Sequence, residues 1–170
     1  MRTQYTFIDP TTLYSDISSQ PDDQTEPGLD ADLNDKADLG EETYTGTGRL
    51  KGRKALVTGA DSGIGAATVI AFAREGADVA LSYLPQEQVD AERIAGIARE
   101  AGATVALLPG DLTDKAYAQG LPDSAVAELG GLDILVNNAG KQVFHEDLET
   151  LPDEQFEETF TVNVHAMFWV

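Results

Sequence analysis

Apolar residues along this chain fall into short blocks separated by longer amphipathic or small-residue stretches, and the alternation sets in at residue 53. Ala55-Leu56-Val57 is an apolar run of strand length, so a strand is predicted over 53–58. A helix follows from about 63 to 75, closed by Gly76 as a C-terminal cap. A second strand is predicted over 78–83, and a second helix over about 87–101, after Pro85 and ending at Gly102. Then come a strand at 104–108, a helix at 113–129 ending near Gly130-Gly131, and a strand at 132–136. A final helix is predicted from near Pro152 to the last residue. Strands separated by helices pair in parallel through right-handed crossovers. The expected fold class is therefore α/β, a doubly wound parallel sheet of order 3-2-1-4 with its switch point between strands 1 and 4. Ligands of such sheets bind outside the carboxyl ends of the strands at that point. Residues 59–65 and 137–140 both fall there.

The first 48 residues have no such pattern. They are rich in Asp, Glu, Pro, Gly, Ser and Thr, with turn clusters at Pro21-Asp22-Asp23 and Glu26-Pro27-Gly28. Too little apolar surface is present for this part to fold by itself. Tyr5, Phe7, Ile8, Leu13, Tyr14, Ile17 and Tyr44 nevertheless offer contacts. Two readings stand: a solvated tail, or an arm laid on the globular part or on a neighbouring subunit. The chain thus divides into an acidic, largely irregular arm over 1–48 and a dinucleotide-binding domain over 49–170.

Charge narrows the partners. The formal net charge is −19, with 11 acids against 3 bases before residue 50 and 19 against 8 after it. Such a surface disfavours nucleic acid and anionic membranes. Arg49, Lys51, Arg53 and Lys54 form a basic cluster too short, and too near a buried strand, to argue for DNA binding. No apolar run approaches the roughly 18 residues of a membrane span. The chain has no cysteine and no hydrophobic leader after Met1-Arg2-Thr3-Gln4, so a cytoplasmic location is expected. His145 and His165 are not in a metal-ligand spacing, and they are expected on the surface or on a helix face.

The chemistry lies in the glycines. Lys54 to Gly65 describes a strand, a turn and a helix start, with glycines spaced G-x-x-x-G-x-G. Glycine allows positive φ and removes the Cβ that would keep a phosphate off the backbone. The first helical turn then presents N–H groups and a positive dipole end to a pyrophosphate. The triphosphate-binding pattern G-x-x-x-x-G-K-S/T is excluded, because no lysine follows the turn. The usual dinucleotide fingerprint G-x-G-x-x-G has a tighter first gap and a wider second one. A second run, Leu132 to Gly140, is an apolar strand ending in Asn137-Asn138-Ala139-Gly140. Together these two motifs resemble the short-chain dehydrogenase/reductase family, whose element order and spacing the chain follows from Leu50 to its last residue. The acidic extension ending in Gly46-Thr47-Gly48-Arg49-Leu50-Lys51-Gly52 is similar to that of a bacterial subgroup and favours an ordered arm.

Residue by residue, Gly59, Gly63 and Gly65, with the N–H groups of Ser62 and Ile64, are expected to hold the pyrophosphate and its ribose. Thr58 is expected to tie the turn to the strand carrying Asn137, itself read as a strand-spacing hydrogen-bonder. The resemblance implies that Asp111, with Leu112 beside it, meets the adenine amino group, although Asp111 would also serve as N-cap for a helix starting at Thr113. It further implies that Asn138, Ala139 and Gly140 hold the central strands and reach the nicotinamide-side ribose. Leu81-Ser82-Tyr83-Leu84-Pro85 carries neither the acid expected for NAD nor the base expected for NADP. Ser62 stands where some NADP-using relatives carry arginine. With no acid to repel a 2′-phosphate and the Ser82 and Tyr83 hydroxyls to bond it, the cofactor is NADP or NAD, with a lean to NADP.

The family's catalytic Tyr-x-x-x-Lys is not found: Tyr5, Tyr14, Tyr44, Tyr83 and Tyr117 all lack a lysine four positions on. Asn163, in Thr161-Val162-Asn163-Val164-His165, resembles the family's fourth catalytic residue, which kinks the helix and anchors a water in a proton relay. The resemblance implies an NAD(P)-dependent oxidoreductase acting on a small alcohol, sugar or carbonyl compound, homotetrameric when whole. These 170 residues are expected to be its cofactor half, poorly folded and without turnover alone. The alternative is a non-catalytic nucleotide-binding or interaction remnant.

Overall fold

A computed structural model describes residues 5, 7, 9, 11, 24, 27–34 and 36–170. Four strands, β1 (Lys54–Thr58), β2 (Asp78–Tyr83), β3 (Val105–Pro109) and β4 (Ile134–Val136), form one parallel sheet of order β3-β2-β1-β4. Helices α1 (Gly63–Arg74), α2 (Gln88–Glu100) and α3 (Lys115–Leu129) make the crossovers. The expected sheet order and element order are both observed. β1 shows why the central strands read as unbroken apolar runs, since its side chains leave alternately for two covered faces. Ala55 and Val57 pack with α1 and α2 through Val69, Ile70, Ala73, Ile94 and Ala98. Leu56 points to the opposite face, where Ala80, Ala106, Leu121, Ala125 and Leu129 meet α3.

Most element boundaries fall within a residue or two of the sequence reading, and two differences bear on the site. The third helix starts at Lys115 rather than 113, and its N-cap is Asp114, whose carboxylate accepts the Ala116 and Tyr117 N–H groups. Asp111 is not the cap. Its carboxylate accepts the Thr113 N–H at 2.8 Å, closing a separate turn that delays the helix. The final helix is not uniform either: α4 (Asp153–Phe160) passes through a π-helical stretch at Thr161–His165 into α5 (Ala166–Trp169).

The described part of the arm from Pro27 onward lies on the domain. Arg74 and Glu75, where α1 ends, hold it from opposite signs of charge. The Arg74 guanidinium donates to the Gly40, Glu41 and Tyr44 carbonyls. The Glu75 carboxylate accepts from the Tyr44 hydroxyl, the Thr47 and Arg49 N–H groups and the Arg49 guanidinium. Arg49 and those other donors keep the Glu75 carboxyl well below the usual carboxylate range. Leu39 is buried against the core beneath. The contacts expected of Ile8, Leu13, Tyr14 and Ile17, and the turn at residues 21–23, lie outside the described residues. Among the described residues no helix is long and apolar enough to cross a membrane, and no cluster of side chains has the makings of a metal site. His165 is exposed, and His145 is half-buried against Gln155.

Candidate functional site

A cleft of about 610 Å³ opens at the carboxyl ends of the strands. Its walls bring together Gly59 and Ser62 after β1, Ser82 and Tyr83 at the end of β2, Asp111 and Leu112 after β3, and Asn138, Ala139 and Gly140 after β4. Gly63 and Ile64 stand exposed at the start of α1, while Gly65 is buried behind the turn. Residues from four separate loops thus converge at the switch point that the sheet order dictates.

The turn needs its glycines for two different reasons. Gly59 and Gly63 have φ of +60° and +50°, a region L side chains rarely enter. Gly65 is needed for space, since a Cβ there would lie 1.9 Å from the Gly59 carbonyl oxygen. The chain therefore folds back on itself at van der Waals distance. No side chain caps α1, whose N-cap residue Ser62 is extended, so no capping side chain takes the N–H groups of the first turn.

Thr58 and Asn138 lock this turn to the loop after β4. The Thr58 hydroxyl accepts the Asn138 and Ala139 N–H groups, both at 3.1 Å, and donates to Val136 O at 3.4 Å. The Asn138 side-chain amide donates to Thr58 O at 3.0 Å and Gly59 O at 2.9 Å. The bridging task expected of Asn137 therefore falls to Asn138, because Asn137 is exposed and the next residue turns inward.

Ser82 and Tyr83 stand at the end of β2. Both line the cleft, but they are 1% and 3% exposed and their hydroxyls are engaged inside the protein. Ser82 Oγ lies 3.0 Å from Tyr117 Oη, and the Tyr83 hydroxyl donates to Gln88 Oε1 at 2.6 Å. The hydroxyls that the sequence reading offers to a 2′-phosphate thus each have a partner within the protein.

Charge at that end of the cleft comes instead from residues the sequence reading did not single out. Asp61, inside the glycine turn, and Glu87, in the 3₁₀ turn before α2, both line the wall beside Ser82 and Tyr83. Glu87 accepts the Leu84 N–H at 3.0 Å. Burial, with Asp61 nearby, pushes the Glu87 carboxyl up to about 7, and burial also raises Asp61. The available signal was the Leu84-x-x-Glu87 spacing of a capping residue. It gives no hint that the carboxyl faces a cleft. Lys141 and Glu158, also on the wall, pair at 2.9 Å.

Asn163 is not on the cleft wall but directly behind it. Its amide clamps one residue, accepting the Lys141 N–H and donating to Lys141 O, both at 2.7 Å. The π-helical stretch at Thr161–His165 widens the helix around Asn163, the distortion the resemblance implies at this position. Asn163→Ala is expected to strip both partners from Lys141 and cost about 1 kcal/mol or more. Thermal unfolding should show this as a midpoint lower by about 2–4 °C.

The sequence model described as short chain dehydrogenase matches residues 53–170. An uncharacterized oxidoreductase of Escherichia coli, YghA, is 52% identical over 162 residues, covering 95% of this chain and 55% of its own. The structure of a Serratia marcescens short-chain dehydrogenase/reductase variant superposes with a TM-score of 0.67 at 38% identity, covering 71% of this chain and 49% of that one. A short chain dehydrogenase from Burkholderia cenocepacia, solved in complex with NADP, superposes with a TM-score of 0.64 at 35% identity, covering 71% and 49%. The chain spans about half the length of the relatives it matches.

Proposed function

The chain belongs to the short chain dehydrogenase family, and from that premise we propose that its cleft binds a nicotinamide dinucleotide for hydride transfer to or from a small alcohol, sugar or carbonyl compound. The observation that carries this reading is the contact of Gly65 with the Gly59 carbonyl, which holds an uncapped helix start at the edge of a cleft at the switch point. The cleft wall is poor in cations, with Lys141 already paired to Glu158. A pyrophosphate would therefore be gripped by backbone N–H groups and the α1 dipole. The cofactor itself supplies the hydride chemistry. Gly59, Ser62, Gly63, Ile64 and Gly65 would take the pyrophosphate and its ribose, Asp111 and Leu112 the adenine, and Asn138, Ala139 and Gly140 the nicotinamide-side ribose. Asn163 keeps the loop after Gly140 in register with them. Following absorbance at 340 nm while a panel of aldehydes and ketones is offered with NADPH or NADH tests the activity. Oxidation of the reduced cofactor supports it, and binding without turnover on any substrate would favour a non-catalytic module.

We assign NADP as the preferred cofactor, on the absence of an acid at the last residues of β2 and on the NADP found in the Burkholderia cenocepacia relative. Asp61 and Glu87 qualify that preference. A protonated Glu87 tolerates a 2′-phosphate, whereas an ionised one repels it. Glu87 is pushed up to about 7, so it holds its proton at pH 6 and loses it by pH 8. NADP affinity is expected to fall across that interval more than NAD affinity does, and Glu87→Gln should flatten the difference. Binding titrations at pH 6 and 8 read this directly. The same raised value means that the stability contributed by the protonated group is complete below its unfolded value of 4.5 and declines as pH rises through about 7.

Residues 1–48 are assigned to an arm and 49–170 to the dinucleotide domain. Phe156, Phe160, Val164, Met167 and Phe168 expose apolar surface along the last helices, which supports homo-oligomer formation, as a tetramer, by the whole protein. A chain without cysteine suits the reducing cytoplasm, the compartment we assign.

A further inference from the structure

We propose that residues 27–31 of the arm are part of the cofactor site, forming the outer wall at the end that takes the adenosine ribose, and that Asp90 is the residue positioning them. The inference rests on the cofactor reading of the cleft and extends it to a segment outside the dinucleotide domain.

Pro27 and Gly28 line the cleft together with Leu84, Glu87 and Asp61. That is the carboxyl end of β2, where doubly wound sheets recognise the ribose 2′ position. Two clamps shape the segment. Gln24 makes one, its side-chain amide donating to Leu29 O at 3.1 Å and accepting the Leu29 N–H at 2.6 Å. A Cβ at Gly28 would lie 2.9 Å from Gln24 Oε1, so a side chain there would push on this clamp. Asp90 makes the other. It sits on α2, is 1% exposed, and accepts the Asp30 N–H at 2.7 Å and the Ala31 N–H at 3.1 Å through its two carboxylate oxygens. A carboxylate this deeply buried is costly unless hydrogen-bonded, and the two N–H groups of the arm satisfy it. Arg93 Nη2 then reaches Asp30 Oδ2 at 2.6 Å from the next turn of α2.

Asp61 and Glu87 on the cleft wall stand near the Asp90 carboxylate that holds the arm, and Arg93 pairs with Asp30 beside them. A ligand that fills the gap between the arm and the end of β2 tightens it, and by linkage a loosened arm weakens the ligand to the same degree. The segment behaves as a wall completed by what it encloses.

Hydrogen exchange on the intact protein, with and without saturating NADP or NAD, tests this at two named amides. Bound cofactor is expected to slow exchange at the Asp30 and Ala31 N–H groups about 5-fold or more. In parallel, Asp90→Ala should raise the Kd for the cofactor about 5-fold or more, and that for ADP-ribose, which lacks nicotinamide, by the same factor. If the variant does not fold, the exchange measurement on the unaltered protein decides alone. Cofactor binding that leaves both amides exchanging at their free rates would overturn the inference while sparing the cofactor reading. Failure of the unaltered protein to bind either cofactor would remove the reading on which it rests.

Discussion

Gly65→Ala is expected to raise the Kd for the cofactor about 100-fold or more, a loss of about 3 kcal/mol of binding free energy. An alanine Cβ would sit 1.9 Å from the Gly59 carbonyl oxygen, and the obstacle is backbone rather than a side chain that can swing away. The turn must open by more than an ångström, carrying the first N–H groups of α1 away from the position they share with Ser62 and Gly59. Overpacking of this kind also costs about 1–3 kcal/mol of stability. Gly63→Ala separates shape from conformation. Nothing lies within 4 Å of a Cβ there, but φ is +50°, so the substitution carries only the penalty of about 1–2 kcal/mol for a left-handed residue. Isothermal titration of the three proteins should rank them native, Gly63→Ala, Gly65→Ala. An unchanged Kd for Gly65→Ala would mean that the turn does not touch the ligand.

Thr58→Val should be the most damaging isosteric change in the domain. Thr58 is 2% exposed, and its hydroxyl accepts from both the Asn138 and Ala139 N–H groups. Valine keeps the volume and leaves two donors unpaired, at about 1–3 kcal/mol each. A total loss of about 2–6 kcal/mol is expected by denaturant unfolding. Thr58→Ser keeps the hydroxyl and forfeits a methyl group, so it should cost about 1 kcal/mol. The ordering of the two variants distinguishes hydrogen bonding from packing as the source of the effect. Equal losses would contradict the bridging role.

Much of this was legible in advance, for identifiable reasons. β2 spans Asp78–Tyr83 as predicted, because an apolar run between a C-capping glycine and a proline has sharp edges. β4 was predicted from 132 and starts at Ile134. Asp133 donates its N–H to Lys54 O and accepts the Lys54 N–H and the Arg53 guanidinium with its carboxylate, so it fastens the entry of the strand to β1 one residue ahead of the first paired position, Ile134. The stretch around Asp111 contains two acids able to cap a helix, and sequence alone does not say that Asp114 takes the task while Asp111 closes a turn. The distortion at Asn163 is implied by the resemblance, but its clamp on Lys141 is not legible, since that partner lies in a loop 22 positions earlier.

The site was legible where it depends on backbone and illegible where it depends on tertiary approach. Glycine spacing announces a turn with positive φ and a close contact, and both are present at Gly59, Gly63 and Gly65. The engaged hydroxyls of Ser82 and Tyr83 could not be read, because their partners Tyr117 and Gln88 lie on other elements. Asp61 and Glu87 share one end of the cleft only through the fold, 26 positions apart. The arm left no periodic signal because buried carboxylates, Glu75 and Asp90, hold it largely through its backbone N–H groups.

Titrating the intact protein with NADPH and NADH, with cofactor fluorescence or calorimetry as the readout, tests the central claim most directly. Saturable one-to-one binding is predicted, tighter for NADPH at pH 6 and largely lost in Gly65→Ala. Absence of saturable binding by both cofactors, under conditions where the protein is folded, would contradict the account.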